Sequence, residues 1–231
     1  MTNCLYKDNH ILVAFKEQNI PQEALMQNIK NELLKQNEKA SFLEPIHTLC
    51  VEAGGIVVFA RSTKAQERLL KQVEENEFLL KHFAVCVGRP KFSTRFIFTE
   101  EGEEEPNYQY LHRNPKTKLL EFIPSLNYDA QKVYDPYKVL EDAGKISLVE
   151  MSGGLKFFDE IRFLLKDANS PVFGDKAYGG DTLAKDTNMA LFAVEARFCH
   201  PTTNKNMVFR VYPPIDKKPW SYFNIEKFLR I

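Results

Sequence analysis

From residue 192 to 211 the side chains alternate with a period of two. Phe192, Val194, Ala196 and Phe198 fall on one side, and Ala193, Glu195, Arg197 and Cys199 on the other. A turn carries Pro201 and Asn204, and the pattern returns at Met207, Phe209 and Val211. That period belongs to a strand, so the segment is expected to be a β-hairpin with one buried face. Such a hairpin needs helices or further strands to cover it, and the rest of the chain offers both. Between Pro21 and Lys39, Leu25, Ile29 and Leu33, with Met26 and Leu34 beside them, trace one face of a helix begun by proline. A second helix is expected from Thr63, with Thr63 and Gln66 as a capping box and Ala65, Leu69 and Val73 as its stripe. A third lies between Lys156 and Asp167, where Phe157, Ile161, Leu164 and Leu165 share a face before Pro171 stops it.

Strand patterns fill the remainder. Cys4 to Phe15 forms a hairpin around an Asp8-Asn9 turn, and the apolar runs Ile56 to Phe59 and Phe83 to Val87 form buried strands. Asn107 to Leu111, Leu119 to Ile123, Val133 to Leu140 and Lys145 to Met151 form an antiparallel meander. The charged run Glu100 to Pro106 is expected as an exposed loop, because adjacent like charges repel. No repeat or composition break divides the chain, so the expectation is one α+β domain over residues 1–231.

With 31 basic and 31 acidic side chains, no global charge points to a polyanion, and any nucleic-acid surface must be local. Cys4, Cys50, Cys86 and Cys199 are scattered without Cys-x-x-Cys spacing, which speaks against a zinc site or a disulfide framework; free thiols, no metal and no cofactor are expected. The apolar runs are too short for a membrane span and no leader pattern stands at the start, so a cytoplasmic monomer is the expectation.

The segment Ile46-His47-Thr48-Leu49-Cys50-Val51-Glu52-Ala53-Gly54-Gly55, followed by the apolar run Ile56 to Ala60, carries the functional signal. It resembles the His-Arg-Leu-Asp-x-x-Thr-Ser-Gly-Leu loop of pseudouridine synthases of the RluA type, with Cys50 where that family has its catalytic aspartate. The likeness continues in Leu5 to Val13, in Lys81 to Gly88 and in Arg113 to Lys116. It resumes in Ser170-Pro171-Val172-Phe173-Gly174-Asp175-Lys176-Ala177-Tyr178-Gly179-Gly180 and in the hairpin ending His200-Pro201-Thr202-Thr203. Phe83 stands at the family's active-site tyrosine and Arg162 at its active-site arginine, whereas Phe157 to Glu160 replaces the family's Arg-Thr-His-Gln. The resemblance implies the pseudouridine synthase fold, a mixed, mainly antiparallel sheet flanked by helices around a central cleft. It also implies an RNA partner, rRNA or tRNA.

By the same resemblance, Cys50, Phe83 and Arg162 are the catalytic positions, and His47, Lys16, Lys81 and Arg113 are candidates for RNA contact. Family members flip a uridine out of its stack, detach the base at N1 and rejoin it through C5, using an ionised carboxylate. A thiol with an ordinary pKa of about 8.5 is mostly neutral at pH 7. The exchange therefore predicts an impaired or inactive RNA-binding homologue, a pseudoenzyme. The alternatives are an active isomerase using Cys50 or Glu52, and a protein-interaction module on the same fold. If Cys50 is neutral, Arg162 needs another partner, and Glu160, Glu52, solvent or a bound phosphate are the candidates.

Overall fold

The computed structural model describes residues 3–91, 96–98, 104–106, 109–123, 131–133, 137–153, 155–180 and 187–230. Strands β1 (Cys4–Lys7) and β2 (Ile11–Lys16) make the opening hairpin, followed by α1 (Gln22–Lys35), the short β3 (Glu44–Pro45), β4 (Gly54–Ala60), α2 (Thr63–Glu74) and β5 (Leu79–Val87). β6 (Phe96–Phe98) pairs with β7 (Glu104–Pro106), and β8 (Gln109–Arg113), β9 (Leu120–Ile123) and β10 (Gln131–Val133) form a three-stranded sheet with β8 in the middle. β11 (Tyr137–Asp142) and β12 (Ile146–Ser152) return to the main sheet, and α3 (Glu160–Asp167), β13 (Leu191–Cys199), β14 (Asn206–Arg210) and α4 (Ile225–Phe228) complete the order. The main sheet runs β1-β2-β4-β13-β5-β12-β11, with β14 beside β13 and β3 beside β4. All its pairings are antiparallel except β4 with β13, which joins Gly54 to Phe192 and Gly55 to Ala193.

The helices and hairpins stand where their periodicities place them, with physical corrections. α1 ends at Lys35 rather than Lys39 because Asn37 adopts a left-handed φ of 56° and the Glu38 amide turns back to the Leu33 carbonyl. α2 is capped by Ser62, whose hydroxyl accepts from the Ala65 amide at 3.2 Å, and not by a Thr63–Gln66 box. Ser62 has the extended backbone that a cap needs, whereas Thr63 is already helical. α3 begins only at Glu160, leaving Lys156 to Phe158 in the segment before it.

The stretch Val133 to Leu140 is not one strand: β10 belongs to the small sheet and β11 to the main one. Of the acidic run, Glu104–Pro106 is strand β7, while residues 99–103 lie outside the described residues. The final hairpin does not have a single buried face. β13 is interior to the sheet, so residues 191–196 are buried on both sides, Glu195 included. Glu195 is held there by Arg197, Arg210 and Lys81. Among the described residues no helix is long and apolar enough to cross a membrane.

Candidate active site

The loop from His47 to Ala53 is pinned from three sides. Lys16, at the end of β2, is wholly buried and its ammonium donates to the carbonyls of Cys50 (3.1 Å), Val51 (3.0 Å) and Ala53 (2.6 Å). Gln22, at the start of α1, donates to the His47 carbonyl and accepts from the Leu49 amide, both at 2.9 Å. Gln18 donates to the carbonyls of Glu52 (3.0 Å) and Met189 (2.6 Å), and the Asn19 amide donates to the Val51 carbonyl. The loop then enters β4 through two glycines that the packing requires. A Cβ on Gly54 would lie 2.4 Å from the Phe192 ring, and one on Gly55, at φ +120°, would lie 2.2 Å from the Ala193 carbonyl oxygen.

Cys50 is buried in this loop, at 6% exposure. Burial pushes its thiol above the ordinary range, and the opposing pull of the Arg162 and Lys16 cations does not reverse that. The group is therefore a neutral thiol at pH 7.

Arg162 projects from α3, nearly buried, and is not left without a carboxylate. Its Nε and one terminal nitrogen donate to the two oxygens of Asp175 at 2.6 and 2.7 Å, a bidentate pair. Asp175 is fixed in turn by the amides of Ala177 and Tyr178, and the Tyr178 ring lies 4.9 Å from the guanidinium carbon. The remaining terminal nitrogen of Arg162 is 4.0 Å from Glu52. Asp175 is thus the partner that sequence reasoning missed. Its Gly-Asp segment was visible, but nothing in the spacing joined it to Arg162.

Arg162, Glu52, Asp175, Asn19 and Asn188 line a pocket of about 470 Å³ that also touches Lys176 and Met189. Two carboxylates face two cations there, so the pocket is not a cationic groove. Of the three positions expected to converge, Cys50 and Arg162 are electrostatic neighbours and Arg162 lines this pocket. Phe83 is wholly buried on β5, in a cross-sheet row with Phe192 and Gly54.

The expected RNA contacts are placed differently from one another. Lys16 is the loop anchor just described, and burial lowers its ammonium to about 8. His47 is buried, its pKa lowered to about 4 by burial, and its Nε2 accepts weakly from the Val58 amide at 3.4 Å. Both side chains are buried. Lys81 is partly exposed and bound to Glu150 at 3.1 Å. Arg113 is half-buried, donates to both oxygens of Asp159, and reaches the Lys118 carbonyl at 2.8 Å. Among the described residues no group of three or more His, Cys, Asp or Glu is placed to hold a metal ion.

No protein-family model matches the chain. It is 24% identical to ribosomal large subunit pseudouridine synthase C of Buchnera aphidicola subsp. Schizaphis graminum, across 97% of this chain and 70% of that protein. It is 25% identical to the dual-specificity RNA pseudouridine synthase RluA of Haemophilus influenzae, across 89% and 90%. Against ribosomal large subunit pseudouridine synthase D of Neisseria meningitidis serogroup A the identity is 27% over 74% of this chain, which there spans only 45% of the relative's length. Among solved structures, human RNA pseudouridylate synthase domain containing 1 superposes with a TM-score of 0.68 at 16% identity, covering 92% of this chain and 84% of that one. Human RNA pseudouridylate synthase domain containing 4 gives 0.63 at 17%, covering 92% and 89%. The fold is that of the pseudouridylate synthase domains.

Proposed function

We propose that this protein is a homologue of the RluA-type RNA uridine isomerases that has lost isomerisation and keeps its fold to hold RNA. One observation carries the reading: the position matching the catalytic carboxylate is the buried, neutral thiol of Cys50, beside an Arg162 already claimed by Asp175. Cleaving the bond from the sugar to N1 and rejoining the base through C5 needs an ionised base or nucleophile in register with the flipped nucleotide. A protonated thiol supplies neither, and a guanidinium neutralised by one carboxylate has little left to lower its pKa. The likeness to named RNA-modifying proteins supports RNA as the partner.

The test is tritium release from RNA labelled at uridine C5, with RNA in excess over protein. The expected result is release no faster than without protein; release with multiple turnovers overturns the reading. A second reading has one observation in its favour. Glu52 lines the pocket, half-exposed, 4.0 Å from Arg162, and would act as a displaced acid. It requires both tritium release and its loss in Glu52→Gln.

A further inference from the structure

The turn between β8 and β9 holds its lysines outward. The Asn114 side-chain oxygen accepts from the amides of Lys116 (2.9 Å) and Thr117 (3.1 Å), and the Asn114 amide donates to the Leu119 carbonyl at 2.9 Å. The Lys118 amide closes back on the Asn114 carbonyl, with Lys118 itself at a left-handed φ of 62°. Residues 115–119 are all exposed. The segment before α3 comes up against this turn. The Arg113 guanidinium carbon lies 5.5 Å from the Phe157 ring centroid and 5.3 Å from that of Phe158, and the Lys156 ammonium is 5.6 Å from the Phe157 ring. Phe158 is 45% exposed beside an exposed Lys156, and Arg113, Asn114, Lys118, Lys156 and Phe157 line a pocket of about 300 Å³.

The nearby carboxylates are committed. Asp159 is held by Arg113 and by the Tyr178 hydroxyl at 2.8 Å, and Glu121 by the Asn114 amide group. Setting Arg113, Lys116 and Lys118 against those two acids leaves an excess of one positive charge, 3 − 2, among the described residues, with the Lys156 ammonium beside the Phe157 ring. A neutral protein has here gathered cations around two adjacent phenylalanines, one of them open to solvent. Aromatic rings set among phosphate-binding cations are the pattern of a single-strand platform, whereas duplex RNA is read by shape and backbone without a stacking ring.

We propose that this face binds single-stranded RNA, with a base stacked on Phe158 and the flanking phosphates on Lys116 and Lys118. The proposal rests on the RNA reading above and assigns it a surface outside the Arg162 pocket. Asp159 joins the two places: its carboxylate takes Arg113 on the platform side and Tyr178 on the other, and Tyr178 lies against Arg162.

The experiment is fluorescence anisotropy with a labelled oligouridylate and with an RNA hairpin duplex, over a range of salt. The oligouridylate is expected to bind more tightly than the duplex. Phe158→Ala should weaken it about tenfold or more at an unchanged thermal midpoint, while Phe158→Trp retains it. Lys116→Ala with Lys118→Ala should lower the log–log salt slope by about 1.4. Wild-type affinity in Phe158→Ala, an unchanged slope in the lysine variant, or duplex bound as tightly as single strand overturns the platform while leaving RNA binding intact. Binding of oligoglutamate with the same dependence on Phe158 also overturns it, and reassigns the face to an acidic protein segment. No RNA bound even at low salt overturns both this proposal and the RNA reading. Tritium release from labelled RNA overturns only the loss of isomerisation.

Discussion

Cys50 and Arg162 show how differently two residues of one site can be legible. The thiol at a carboxylate's place is visible in the sequence, and the environment it needs to stay neutral is the buried loop around it. The partner of Arg162 was not visible. Glu52 and Glu160 stand near it in motif or sequence, but the pair forms with Asp175 across the turn that follows α3, where the Ala177 and Tyr178 amides already aim the carboxylate. A reactive-thiol role makes a clear prediction that this environment contradicts. In timed alkylation with iodoacetamide at pH 7.5, read by peptide mass, Cys50 should be modified well after the partly exposed Cys199. Modification of Cys50 first would restore it as a candidate nucleophile.

At the level of elements, the apolar stripes of α1 and α2 and the alternation of the closing hairpin were sufficient to locate them. What pattern could not give was register between distant segments. The neighbours of β13 decide that Glu195 is buried, and the division of Val133 to Leu140 depends on which sheet receives each half. The loop's anchors were hidden for the same reason, since a lysine at a strand end or a glutamine at a helix start ordinarily faces solvent. Lys16 gives the measurable case. Losing the ammonium leaves three close carbonyls without their donor, at about 1–3 kcal/mol each, against roughly 3 kcal/mol regained from not burying a charge. Lys16→Met is therefore expected to destabilise the protein by roughly 3 kcal/mol in urea unfolding, and an unchanged midpoint would show that the loop does not depend on it.

For the molecule as a whole, acid sensitivity follows from two buried rings. Burial lowers His47 to about 4 and His82 to about 3, the latter helped by His47, and the Nδ1 of each has no hydrogen-bond partner among the described residues. Both folded values lie below the ordinary 6.5, so below that pH the unfolded chain takes up protons that the folded one refuses. Stability is full above pH 6.5 and is lost as pH falls toward 4 and 3. Two such rings remove roughly 4 kcal/mol between pH 8 and pH 5, a range in which ordinary carboxylates do not yet titrate. Urea midpoints measured at those two pH values should show the fall, and His82→Leu should halve it; a flat profile would mean that the rings are hydrated.

The parallel contact of β4 with β13 sets a schedule for the chain as well as a shape. Residue 54 meets residue 192, and the pocket joins Asn19 and Glu52 from the early segments to Arg162, Asp175 and Asn188 from the late ones. Closing so long a loop is slow, and its cost comes before the contacts that reward it. On the ribosome, β4 can pair with β2 at once, but the side of its two glycines that meets β13 stays unpaired until nearly two hundred residues have been made. Until then the chain carries a Cys50 loop anchored by Lys16 and Gln22 but open on the side that β13 will close, and RNA met during synthesis finds no completed pocket.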